Sequence, residues 1–231
     1  MTIEHKTAPA FQIVKDFEAA IGEYTGAPSV VCVNSCTMAL KLSLEWMAEA
    51  RHELWLDDGA VSIPKRTYVS VPMQILDSGW GLEFRDQDWR GRYQLEPLPI
   101  WDCARWFTRG MFPAIAGDEG IFVCVSFHST KTLGLKRFPE DGLDYDIEQG
   151  GAILHNAGPE AGRWLRSARF DGRTEGAPIS NESVRQIGFH CYMNPSSARL
   201  GLETLKRLPS HNPPLPNDDY PDLSTFEVFQ R

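Results

Sequence analysis

Val30-Val31-Cys32-Val33, then Asn34-Ser35-Cys36-Thr37, then Met38-Ala39-Leu40 is the stretch on which the fold turns. Four consecutive apolar residues, mostly β-branched, predict a strand buried on both faces. The polar turn 34–37 closes it. Leu40, Leu44 and Met47 then recur at helical spacing. Strand, hydroxyl-rich turn and helix in immediate succession predict an α/β fold.

The rest of the chain repeats that alternation. Phe11, Val14, Phe17, Ala20, Ile21 and Tyr24 predict an opening helix that stops at Gly26. Short apolar runs at Val61–Ile63, Leu82–Phe84, Pro97–Trp101, Ile121–Val125 and Ala152–Leu154 predict further strands. Helices are expected over Tyr68–Leu76, Glu160–Arg169 and Ser196–Leu208. The expected architecture is a mostly parallel central sheet covered by helices, in one domain over residues 1–208. Residues 209–231 are rich in Pro, Asn and Asp and are expected to be extended.

With 231 residues and 42% hydrophobic content, the chain can bury a sizeable core. A net charge of -8 argues against a general nucleic-acid role, which needs clustered Lys and Arg. Cys32, Cys36, Cys103, Cys124 and Cys191 are odd in number and lack zinc-site spacing. Most lie in apolar runs, so they are expected as reduced core residues in a cytoplasmic protein. The sequence shows no signal peptide and no membrane-spanning apolar run.

Three strand ends carry chemistry. Ser35-Cys36-Thr37 places backbone N–H groups and hydroxyls at a helix start, which suits a phosphate; taken alone, an ordinary N-cap by Ser35 or Thr37 is the better reading. Asp102 follows Pro97–Trp101 and could hold a protonated ring nitrogen or cap a turn. Lys131 follows Ser126-Phe127-His128-Ser129-Thr130, where a desolvated amine becomes a nucleophile, though a solvated loop Lys reads the same way.

The order and company of these signals resemble the DegT/DnrJ/EryC1/StrS family of aminotransferases that use pyridoxal 5'-phosphate (PLP). Ser35-Cys36-Thr37-Met38-Ala39-Leu40 is similar to its Ser-Gly-Thr-x-Ala-Leu phosphate turn. Pro64-Lys65-Arg66-Thr67-Tyr68 resembles its Pro-x-x-Thr-aromatic segment, and Asp102-Cys103-Ala104 its Asp-x-Ala step. Thr130-Lys131 and Gly150-Gly151-Ala152-Ile153 resemble its Lys segment and following strand. Ile187-Gly188-Phe189, Met193 and Ala198-x-x-Gly201-Leu202 resemble the approach to the last large-domain helix.

The resemblance implies a fold-type-I PLP-dependent transferase large domain, with the C-terminal small domain largely absent. It makes Lys131 the Schiff-base Lys and proton carrier, and Asp102 the partner of the ring nitrogen. Tyr68 would stack on the ring, with Ala104 beside the cofactor. Ser35, Cys36, Thr37 and Ser126 would hold the phosphate. His190 stands where the family has an Asn that reaches the partner subunit's phosphate, and Arg105 where it has His or Gln. The implied activity moves an amino group from an amino acid, glutamate by resemblance, to a keto sugar or related compound. Two other readings stay open: a different PLP reaction such as dehydration or decarboxylation, and a non-catalytic partner subunit. Family dehydratases exchange the Lys for His, whereas Lys131 is present. A homodimer with shared sites is implied. Between Phe84 and Asp102 the family's extra strand and helix have no counterpart, and the Lys131–Gly150 link is long, either as a substrate lid or as a plain insertion.

Overall fold

A computed structural model describes residues 9–49, 59–117, 120–137, 146–217 and 219–230. Nine strands and five helices follow in order: α1 (Pro9–Thr25), β1 (Ser29–Val33), α2 (Cys36–Glu49), β2 (Ala60–Pro64), α3 (Ser70–Asp77), β3 (Gly81–Arg85), β4 (Tyr93–Gln94), β5 (Ile100–Asp102), β6 (Phe122–Ser126), β7 (Lys136–Arg137), β8 (Asp146–Ile147), β9 (Gly151–His155), α4 (Gly158–Ala168) and α5 (Pro195–Leu205). Two single 3-10 turns, Leu223–Thr225 and Glu227–Phe229, lie in the last segment.

The main sheet has the order β1-β9-β6-β5-β4, and alternate residues of its strands feed two separate cores. Val31, Val33, Cys124 and Ile153 pack beneath α2 and α4. Val30, Cys32, Val123, Val125, Ala152 and Leu154 pack against α1 and α5 on the other face. Burial on both faces is why these strands read as unbroken apolar runs rather than alternating ones. All five cysteines are free and buried, as the apolar context predicts. On the α1–α5 face, a Cβ at Gly201 would stand 2.3 Å from the Phe17 ring, so only glycine lets the two helices approach this closely.

The sheet is mixed, which corrects the mostly parallel expectation. β9 runs antiparallel to both of its neighbours, β1 and β6; β5 and β6 are parallel; β4 is antiparallel to β5. A parallel neighbour for β5 needs a crossover of roughly a dozen residues or more. The link from β3 is short and instead folds back as a β4–β5 hairpin. Pro97–Trp101 is accordingly not the strand. Pro97, Leu98 and Pro99 form the turn, entered through a cis Glu96–Pro97 bond, and the strand is Ile100–Asp102. Prolines donate nothing to a ladder, so the turn falls where they cluster.

β2 and β3 form a separate parallel pair. A backbone bridge joins that pair to the β4–β5 link: Ser62 donates to the Glu96 carbonyl at 2.7 Å, and Glu96 donates back to Ser62 at 3.1 Å. β7 and β8 form a two-residue ribbon within the Lys131–Gly150 link. The middle of that link, residues 138–145, lies outside the described residues, so the lid reading does too.

Residues 209–217 and 219–222 have no regular structure, but they are tied down along their length. Asn212 Nδ2 donates to Tyr24 Oη at 2.9 Å, and Tyr24 Oη donates to the Pro209 carbonyl at 2.5 Å. Among the described residues no helix is long and apolar enough to cross a membrane.

Candidate active site

The phosphate-turn candidate is built by close backbone approach. Ser35 Oγ caps α2 by accepting from the Met38 N–H at 3.2 Å, so the ordinary N-cap role is filled. Gly151 lies directly behind: a Cβ there would meet Cys36 N at 2.5 Å and Ser35 C at 2.6 Å. Glycine at 151 is therefore what allows strand β9 to seat the start of α2. Thr37 Oγ1 bonds Ser70 Oγ at 2.9 Å, tying this turn to α3.

Asp102 ends β5 and is buried. Its Oδ1 accepts the Ala104 N–H at 2.9 Å, and its Oδ2 accepts Tyr93 Oη at 2.8 Å. Tyr93 sits directly across the β4–β5 ladder, and its hydroxyl also meets Thr67 Oγ1 at 2.7 Å. Burial pushes the Asp102 carboxyl above its ordinary value, and the two donated bonds and the Lys131 charge pull it partly back. Burial pushes the Tyr93 hydroxyl and the Cys36 thiol well up, so both stay protonated at neutral pH.

Lys131 stands in a loop that organises itself. Its N–H donates to the His128 carbonyl at 2.8 Å, and His128 Nδ1 meets Thr130 Oγ1 at 3.1 Å. The Lys131 charge is close enough to act on both Asp102 and Cys36.

These groups face one cleft of about 270 Å³, lined by Ser35, Cys36, Thr37, Tyr68, Asp102, Ala104, Ser126 and Lys131 among others. Eight of the nine residues named from sequence thus come together. His190 does not line the cleft. It is exposed on the surface, with Nδ1 3.1 Å from Asp171 Oδ1. Arg105 is 7% exposed, lines the cleft, and donates through Nη2 to the Pro216 carbonyl. Sequence reading missed Thr67, Trp89, Tyr93 and Tyr220. The hairpin turn Pro97-Leu98-Pro99 is the one signal that would have placed Tyr93 opposite Asp102.

The donor set fits a PLP-type group. It offers a buried carboxylate, an amine within electrostatic reach of it, and hydroxyls at a helix start whose backbone a glycine strand presses close. The fold and this strand-end cleft resemble those of the large domain of fold-type-I PLP-dependent transferases. Residues 3–113 match the model of the DegT/DnrJ/EryC1/StrS aminotransferase family.

Solved structures carry the same fold. The sugar aminotransferase CalS13 from Micromonospora echinospora is 19% identical with a TM-score of 0.61, covering 87% of this chain and 61% of its own. A DegT DnrJ EryC1 StrS aminotransferase from Brucella abortus is 21% identical with a TM-score of 0.57, covering 87% and 59%. A mutant GDP-4-keto-6-deoxymannose-3-dehydratase with bound GDP-perosamine is 17% identical with a TM-score of 0.61, covering 86% and 61%. The chain spans about three fifths of the length of each. No curated protein matches it.

Proposed function

We propose that the cleft binds PLP and that the chain transfers an amino group from an amino acid, glutamate first among candidates, to a keto sugar or related keto compound. One observation carries this reading: Asp102 and Lys131 act on each other electrostatically in a single cleft that opens beside the α2 start. When bound, PLP supplies an aldehyde that condenses with amines and a ring that takes up electrons.

The chain's own residues divide the remaining work. Ser35, Cys36 and Thr37 hold the phosphate through N–H and hydroxyl groups at the positive end of α2, with Ser126 adding a hydroxyl. Asp102 holds a proton on the ring nitrogen; a cation there offsets the cost of its buried charge. Tyr68, 57% exposed at the cleft, lies against the ring face, and Ala104 packs beside it. Lys131 would hold the group through its amine, and its Nζ would carry a proton toward and away from the substrate carbon.

A homodimer is part of this reading. Ile179 and Ile187 are 81% and 89% exposed, close in sequence to His190. Such exposed apolar residues suit an interface. Sedimentation as a monomer by PLP-loaded protein would remove the shared-site reading.

The deciding experiment mixes purified protein with PLP, follows the visible absorbance, reduces with borohydride and locates the added mass by peptide analysis. Fixation at Lys131, lost in Lys131→Ala, is the expected result. A Lys131→Ala protein with unchanged absorbance overturns the site. Protein that takes up no PLP supports a non-catalytic partner subunit instead. The dehydratase among the structural neighbours motivates the other PLP reaction. Loss of colour on adding amino acids, with keto acid released, favours transfer over dehydration.

A further inference from the structure

The segment from Pro209 onward behaves as a strap across the face of the molecule that carries the cleft. Beyond Asn212 it is fastened at a series of points. Leu215 donates to the Arg105 carbonyl at 2.9 Å, and Arg105 donates back to Pro216. Asn217 donates to the Trp89 carbonyl. Pro214 lies against Gly91, where a Cβ would come within 2.5 Å of it. Gly91 also has φ +76, a backbone region that favours glycine.

The far end is anchored on β2 and β3. Leu223 is fully buried and donates to the Lys65 carbonyl at 2.9 Å. Asp222 Oδ2 pairs with Lys65 Nζ at 3.1 Å, and Phe229 meets Phe84 edge-on at 5.9 Å. Between the two anchorages, Tyr220 faces the cleft. Its ring stacks on Trp89 at 6.3 Å and 15°, and Trp89 in turn meets Tyr93, the partner of Asp102, at 4.8 Å.

We propose that residues 209–217 and 219–230 form the substrate-side wall of the cleft, and that Tyr220 is the positioning residue through which the wall bears on whatever occupies it. This rests on reading the cleft as the binding site. The wall is aromatic, with Tyr220 and the Trp89 ring it stacks on both lining the cleft, and suits a ring-shaped molecule. Asp222 acts from two residues away by holding the strap to Lys65.

The test uses cofactor-free full-length protein, so it stays readable even if PLP does not bind. Brief acetic anhydride labelling, read by peptide mass, gives the reactivity of Lys131 relative to exposed Lys206 in the same sample. Tyr220→Ala and Asp222→Ala should each raise that ratio about fivefold, the scale of a local opening that costs roughly 1 kcal/mol less than before. Tyr220→Phe, which keeps the ring, should keep the wild-type ratio. Taking the ratio to Lys206 removes any gain that comes from general loosening. The proposal stands only on that pattern. A wild-type ratio in either alanine variant, or a raised one in the phenylalanine variant, overturns it. Failure of the PLP reading is seen separately, as absence of colour and of borohydride fixation.

Discussion

Tyr93 Oη lies 2.8 Å from Asp102 Oδ2, directly across the β4–β5 ladder and closed off from solvent. The hairpin that replaces a longer crossover therefore supplies a buried donor to the carboxylate that the cleft presents. A charge held in this way is costly in the empty protein.

Asp102→Asn should reveal that cost. Burial raises the folded-state pKa of Asp102 above its unfolded value. Its contribution to stability is thus full below the ordinary carboxylate range and is lost as pH rises through the folded pKa. Cofactor-free Asp102→Asn should unfold in urea at a midpoint equal to or above wild type at pH 7, with the gap closing under acid conditions. The same variant should lose PLP uptake. A lower midpoint at pH 7 would contradict the account.

Glu18 carries the opposite sign. Burial alone would raise its carboxyl, but Arg169 and Arg166 outweigh this and hold it below the ordinary value. Arg169 is 1% exposed, with Nη1 2.5 Å from both Glu18 Oε1 and the Cys32 carbonyl. Glu18→Gln removes the carboxylate shared by Arg166 and Arg169, while Arg169 keeps Glu175 at 3.2 Å, and should cost about 2–3 kcal/mol in urea unfolding at pH 7. Because the folded pKa is depressed, wild-type stability should fall as pH drops below the ordinary Glu value and through the folded one, and the variant should lack this loss.

Gly151→Ala tests the backbone seat of the phosphate turn. The new Cβ would press on Cys36 N and Ser35, and overpacking of this kind costs about 1–3 kcal/mol. PLP affinity should drop by about two- to twelvefold if half of that cost falls on the α2 start. Titration of absorbance against PLP measures it. Unchanged affinity with unchanged stability would mean that the turn can shift freely.

His155 is fully buried beside Phe122, and neither ring nitrogen has a partner among the described residues. Burial first, then the Arg166 charge, lowers its pKa to about 4. His155→Leu should be neutral or stabilising by about 1 kcal/mol at pH 7, because it removes an unpaired polar ring. Wild type should lose stability as pH falls from about 6.5 toward 4, a loss that the variant should not share. Parallel urea midpoints across that range would refute this.

Much of the architecture is legible in the sequence because β1, β6 and β9 are buried on both faces and show as unbroken apolar runs. Asp102, Lys131 and the Ser35–Thr37 turn are legible because each stands at, or within a few residues of, the end of an apolar run. The direction of β9 is not, since a reversed strand has the same composition as a parallel one. Tyr93 escapes notice because a two-residue strand has no period. Arg105 and Tyr220 depend on contacts between segments more than a hundred residues apart, and nothing local marks either.

The cleft draws its lining from Ser35 at one extreme and Tyr220 at the other. A nascent chain cut anywhere between Asp102 and Lys131 would hold the hydroxyl turn and the carboxylate but neither the amine nor the aromatic wall. Competence to capture a ligand therefore arrives late in synthesis, after the most sequence-distant pairings have closed. Loop-closure entropy makes such pairings the slow ones. Colour acquired during refolding in the presence of PLP would thus clock completion of the whole chain rather than of any one part.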